Sequence, residues 1–115
     1  MRTAALALTL LVACSRREPG SGIVGDAARG QAMIVKYGCT SCHIVPGVRG
    51  NGLVGPPLTH MARRGYIAGR LTNVPQRMID WIRSPQKISP GNAMPDVGVT
   101  EKDARDIAAY LYTLR

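Results

Sequence analysis

Phenylalanine is absent from this chain, and in 115 residues tryptophan occurs once and tyrosine four times. A chain of one-domain length with so few aromatic rings buries a modest core of its own. Cysteine is scarce as well: Cys14, Cys39 and Cys42 are all there is, and histidine is limited to His43 and His60. A structural zinc site takes four nitrogen or sulfur ligands, and the Cys39/Cys42 pair lacks partners to complete one. Acidic side chains number 7 against 15 lysines and arginines, for a formal charge of +8. No basic run carries interleaved aromatics and no nucleic-acid motif is present, so nucleic acid is not an expected partner. A basic surface suits an acidic protein partner instead, with salt-sensitive association.

Long apolar runs are missing too. Ala4 to Ala13, broken only by Thr9, is ten residues, whereas a membrane-spanning helix needs about 20. With Arg2 before it, the run fits the apolar part of an export signal. It ends in Leu11-Val12-Ala13-Cys14, which resembles the lipobox of bacterial lipoproteins. That resemblance implies removal of residues 1–13 and acylation of Cys14. An ordinary signal peptide with an incidental Cys14 is the alternative. Ser15 to Gly22 is rich in Gly, Ser, Pro and charge, so residues 14–24 read as a flexible tether. The remaining domain is expected over 25–115. The expected location is the periplasmic side of a bacterial membrane, lipid-anchored, with a soluble periplasmic protein as the alternative.

The chemistry concentrates in Cys39-Thr40-Ser41-Cys42-His43. C-x-x-C-H is the attachment signature of a c-type haem. Two thiols about one helical turn apart can each add across one vinyl group of the same porphyrin. The adjacent imidazole is then brought under the iron as proximal ligand. A dithiol redox pair is the plainer reading of C-x-x-C, but no Val/Ile-rich strand precedes the motif as a thioredoxin-like βαβ unit requires. One haem c held through Cys39 and Cys42 would also supply apolar volume that the missing aromatics do not.

The pattern elsewhere is helical. Asp26 is a plausible N-cap for a helix from about Ala27 to Tyr37, with Ala28, Ala32 and Val35 in a stripe that Met33 and Ile34 widen. Seven glycines and prolines between Ile44 and Leu58 make a long irregular loop, the kind that wraps something. His60 to Ala68 reads as weakly helical. A helix from Pro75 carries Met78, Trp81 and Ile82 on one face and stops before Pro85. The last helix begins at the capping sequence Thr100-Glu101-Lys102-Asp103. Ala104, Ile107, Ala108, Leu111 and Leu114 form its apolar face. The expected fold is all-α with long loops.

The iron's other face needs a ligand or stays open. Met33 and Met78 lie in helical stripes, where methionine is usually core filler, and Met61 lies in the poorly defined segment after the loop. Met94 lies outside any periodic pattern, in Ser89-Pro90-Gly91-Asn92-Ala93-Met94-Pro95-Asp96. Pro90 and Pro95 stiffen this loop, and a stiff loop places a ligand at lower entropic cost. Met94 as a mere loop anchor, His60 as ligand, and water remain the alternatives.

Taken in order, Cys39 to His43, Gly55-Pro56-Pro57-Leu58, Pro90 to Pro95 and Ala108-Ala109-Tyr110-Leu111 resemble the small class I cytochromes c over about Gly25 to Arg115. The resemblance implies a cytochrome c-like fold of three to five helices around one haem. It implies that the carbonyl of Pro56 accepts a hydrogen bond from His43, and that the first and last helices cross closely at Gly30 and Tyr110. It places Trp81 beside the haem on its methionine side. Arg70, Tyr66, Trp81, Arg63 and Arg64 are the candidates for the haem propionates.

The expected role is a single-electron carrier with His43 and Met94 on the iron, not an enzyme. A quinol-oxidising complex or dehydrogenase is the expected donor and a terminal oxidase or reductase the acceptor. The chain is expected to be a monomer or a subunit of a complex. One alternative is a fixed haem subunit through which electrons pass into an oxidase, reductase or dehydrogenase complex. A haem peroxidase or gas-binding protein is the more distant one.

Overall fold

The structure, a computed structural model, describes Gly22 and residues 25–115. The expected signal over 1–13, Cys14, and all of the tether but Gly22 lie outside the described residues. Four helices carry the fold: α1 (Ala27–Lys36), α2 (Pro75–Arg83), the short α3 (Pro85–Ile88) and α4 (Glu101–Leu111). Single 3₁₀ turns occur at Cys39–Ser41 and Met61–Arg63. Strands β1 (Tyr66–Ile67) and β2 (Leu71–Thr72) pair antiparallel, with Tyr66 opposite Thr72 and Ile67 opposite Leu71. Among the described residues no helix is long and apolar enough to cross a membrane.

Capping sets the helix starts. The Asp26 side chain accepts from the Arg29 amide at 2.9 Å, and Thr100 Oγ1 accepts from the Asp103 amide at 3.1 Å. Each satisfies one of the amides that a helix's first turn leaves without a partner. Pro75 and Pro85 sit at the starts of α2 and α3, where a missing N–H costs nothing.

The core is built where α1 crosses α4 and α2 packs on α4. Ile34, Met78, Ile79, Ile82, Ala104, Ile107, Ala108 and Leu111 are all buried. The apolar face read for α4 is therefore the buried one, with Leu114 packed against its edge. The face read for α1 is so only in part, at Ile34 and at Met33 packed beside the core. Ala28 and Ala32 are exposed and Val35 is 60% exposed, while Gly30 and Ile34 are the buried positions. The reason is the closeness of the crossing. A Cβ at Gly30 would run into the backbone carbonyl of Asp106, so the contact is made by a residue with no side chain to score as apolar. Tyr110, on the same helix as Asp106, donates from its hydroxyl to the Pro46 carbonyl at 2.6 Å and fastens the start of the long loop.

An ionic cluster seals the same crossing. Arg29 on α1 pairs with Asp103 at 2.6 Å and also with Asp106. Lys102 reaches Asp106 at 2.9 Å, the Asp26 amide donates to it at 2.9 Å, and the Tyr37 hydroxyl donates to Asp103 at 2.5 Å. Both carboxylates are 4% exposed. The Tyr37 hydroxyl and then Arg29 hold the Asp103 carboxyl down to a pKa of about 2. Burial pushes Asp106 up, but the Asp26 amide, Lys102 and Arg29 outweigh it, and its pKa also falls to about 2.

The segment read as weakly helical over His60 to Ala68 is mostly not. Only Met61–Arg63 makes a turn, and Tyr66–Ile67 is a strand. Ala68 and Gly69 both have positive φ, 50° and 65°, and the Arg70 amide donates to the Ile67 carbonyl at 3.0 Å, so the three residues between the strands close a tight turn. Asn73 holds the segment in place, donating from Nδ2 to the carbonyls of Met61 and Arg64, each at 2.8 Å.

Candidate functional site

A cavity of about 480 Å³ opens between the helices and the loops, walled mainly by apolar side chains. Ile34, Leu58, Met61, Ile67, Met78 and Leu111 form much of the wall. Cys39, Cys42, His43, Pro56, Arg70, Trp81 and Met94 all line this one cavity, so these seven are brought to a single place. His60 is exposed and absent from the lining.

Local backbone bonds put the motif there. Gly38 has a left-handed φ of 71°, which ends α1 and turns the chain into the Cys39–Ser41 turn. His43 N donates to the Cys39 carbonyl at 2.9 Å and Cys42 N to the same carbonyl at 3.2 Å. One turn thus presents both thiols and the imidazole to the cavity. Both cysteines are free and half-buried, and burial pushes the Cys39 thiol up, favouring its neutral form in an apolar wall.

The long loop after the motif is pinned back along it. Gly55 N donates to the Cys42 carbonyl and Leu58 N to the Ile44 carbonyl, both at 2.8 Å. His43 Nδ1 lies 2.7 Å from the Pro56 carbonyl. A carbonyl only accepts, so Nδ1 carries the proton and Nε2 keeps its lone pair free for a metal. Gly55 lies flat against the same ring, where any Cβ would overlap the imidazole.

Met94 reaches the cavity from the loop between α3 and α4. Its amide donates to Asn92 Oδ1 at 2.7 Å and its carbonyl accepts from Gln86 Nε2 at 2.8 Å, so the backbone that carries the thioether is fixed on both sides. Among the described residues no group of three His, Cys, Asp or Glu side chains converges on a metal-sized site. Two thiols and an imidazole with a free Nε2 in the wall of an apolar cavity are the groups that a covalently attached haem needs.

The Cytochrome c family model matches residues 27–115. The chain belongs to the cytochrome c family. As a member it carries one covalently bound c-type haem and transfers electrons through it. The chain is 34% identical over 90 residues to cytochrome c oxidase subunit 2 of Alkalihalophilus pseudofirmus. That match covers 77% of this chain but only 26% of the oxidase subunit, so the chain spans about a quarter of that protein's length. Cytochrome cH from Methylobacterium extorquens superposes with a TM-score of 0.59 at 29% identity, covering 77% of this chain and 99% of that one. Cytochrome c2 from Rhodobacter sphaeroides has the same fold, with a TM-score of 0.60 at 24% identity over 79% of this chain and 97% of that one.

The rim of the haem cavity holds the cationic candidates. Arg64 lines the cavity while its Nε donates to the Thr59 carbonyl at 3.0 Å and its Nη2 to the Pro57 carbonyl at 2.6 Å. Arg70 and Tyr66 line it from the hairpin and are exposed, whereas Arg63 is exposed and outside the lining. Sequence reasoning met Gly55 and Asn92 only as members of longer motifs, without a role of their own, and passed over Gln86. The hydrogen bonds of the two amide side chains run to the backbone, and backbone partners leave no mark in a side-chain pattern.

Proposed function

We propose that the chain is a single-electron carrier whose haem is attached through Cys39 and Cys42, with His43 and Met94 as the two axial ligands in both oxidation states. The carrying observation is the one cavity that both His43 and Met94 line, with the two thiols in its wall. The haem supplies a one-electron ferric/ferrous couple. His43, donating from Nδ1 to the Pro56 carbonyl, offers a firmly oriented and more basic Nε2. The Met94 thioether is neutral and soft, favours ferrous iron and raises the potential. With both positions filled no site is left for a substrate, which suits a carrier and not an enzyme.

The docking face follows from charge and exposure. Val54 lines the cavity and is exposed, next to exposed Leu53, which gives an apolar rim near the thiols. Arg77, Arg83 and Lys87 line an open groove on the outer side of α2 and α3. An acidic redox protein fits such a surface: a quinol-oxidising complex or dehydrogenase as donor, a terminal oxidase or reductase as acceptor. Acylation of Cys14 would hold the domain on the periplasmic side of a membrane through the 14–24 tether. The similarity to an oxidase subunit 2 favours one second reading, a fixed haem subunit that passes electrons within a complex. Co-purification with partner subunits through mild detergent supports the fixed subunit; loss of every partner supports the carrier.

An optical redox titration of the haem-loaded full chain, with and without carbon monoxide, tests the reading. A low-spin spectrum in both states, a positive potential and no rapid carbon monoxide uptake is expected. A high-spin component or immediate uptake would contradict it and favour a peroxidase or gas-binding protein.

A further inference from the structure

Met94 is carried by a loop with no regular structure, yet both its amide and its carbonyl are hydrogen-bonded. The carbonyl's partner is a side chain on α3 that bonds the loop at three points. Gln86 Nε2 donates to the carbonyls of Asn92 at 2.7 Å and Met94 at 2.8 Å, and Gln86 Oε1 accepts from the Gly91 amide at 3.0 Å. All the hydrogen-bonding ends of the amide that face the loop are used. Gly91 has a φ of 80°, and this left-handed turn brings residues 91 and 94 within reach of one side chain. Beyond Met94, the Gln86 amide donates to Asp96 Oδ1 at 3.1 Å. The anchor itself is firm, because Pro85 beside it is among the most deeply buried residues.

Asn92 answers from the loop. Its Nδ2 donates to the carbonyls of Pro85 at 3.0 Å and Ser89 at 2.7 Å, and its Oδ1 accepts from the Met94 amide. Two side-chain amides therefore interlock the loop and α3, each with its NH2 group donating twice and its oxygen accepting once.

We propose that Gln86 is a positioning residue for Met94: it fixes the backbone of the loop so that the thioether stays at the iron and leaves it slowly. This rests on the reading that Met94 is the axial ligand. Swinging Met94 out moves residues 91–94, and the carbonyls of Asn92 and Met94 then give up the Gln86 amide. Without Gln86 those bonds pass to water and the loop opens more often. A purely structural role, such as support for the short α3, would lower the unfolding midpoint without touching the rate at which the thioether is released.

The test is carbon monoxide binding to the reduced, haem-loaded full chain over a rising gas concentration. In the wild type the rate of uptake levels off at a limit set by release of the thioether. Gln86→Leu, which removes all three side-chain bonds, is expected to raise that limit about tenfold or more, the effect of one to two lost hydrogen bonds. Gln86→Glu keeps the acceptor for Gly91 and loses both donors; it is expected to rise as well, and it serves if the leucine variant does not fold. Gln76→Ala removes a surface bond to Asp80 on α2 and is expected to match the wild type. Limiting rates within about twofold of the wild type for both Gln86 variants would overturn the proposal. Wild-type uptake as immediate as that of Met94→Ala would overturn the ligand assignment instead, so the two failures are distinct.

Discussion

Gly55→Ala bears on the haem site through a single methyl group. A Cβ at Gly55 would lie 2.6 Å from His43 Nδ1, and the ring would have to retreat by roughly 1 Å to restore ordinary van der Waals contact. The loop cannot yield easily in the other direction, because Gly55 N is bonded to the Cys42 carbonyl at 2.8 Å. Moving the ring stretches the 2.7 Å bond from Nδ1 to the Pro56 carbonyl past the roughly 3.2 Å at which such bonds are normally made. Overpacking costs about 1–3 kcal/mol and the lost hydrogen bond about 1 kcal/mol. For a domain of this size that lowers the thermal midpoint by roughly 10–25 °C. The assay is thermal unfolding of the haem-loaded protein, with Gly65→Ala beside it, because nothing lies within 4 Å of a Cβ at Gly65. Gly65→Ala is expected to leave the midpoint unchanged or slightly raised. Equal midpoints for the two variants would refute the reasoning that the loop is packed flat against the proximal ring.

Three further outcomes are expected. Asp103 and Asp106 have pKa values of about 2 in the folded chain against about 3.9 when unfolded; their stabilisation is full above pH 4 and is lost as pH falls towards 2. Urea midpoints at pH 5 and pH 2.5 read this directly, and a flat profile would contradict the buried cluster. Gly30→Ala places a methyl group against the Asp106 carbonyl and is expected to cost about 1–3 kcal/mol despite alanine's better helix propensity; a neutral or raised urea midpoint would show that the crossing is looser than described. Cys14→Ser is expected to release the protein from membranes into the soluble fraction, and retained membrane association on fractionation would contradict lipid attachment at that residue.

The haem site was far more legible than the packing that supports it. Cys39, Cys42 and His43 are spaced by the chemistry of attachment, so the pattern survives without any knowledge of the fold. Met94 stood out because it lay between prolines in a segment without periodicity. Helix α4 was readable because its capping residue and its apolar spacing agree. The α1 face was misread because the residue that makes the closest contact, Gly30, has no side chain to count as apolar. Asp103 was read only as part of the capping sequence and Asp106 not at all, since nothing local reveals that Arg29 on α1 and Tyr37 at its end will meet them. The Tyr66–Thr72 hairpin escaped because two-residue strands are too short to show an alternation.

The central claim is that Met94 completes the coordination of the iron opposite His43. Optical spectra of the wild type and Met94→Ala, each recorded ferric and ferrous, test it most directly. The account predicts a low-spin wild type in both states. It predicts an altered spectrum in the variant, with a high-spin component and a lower potential. Superimposable spectra would contradict it, and the ligand would have to be sought elsewhere in the cavity.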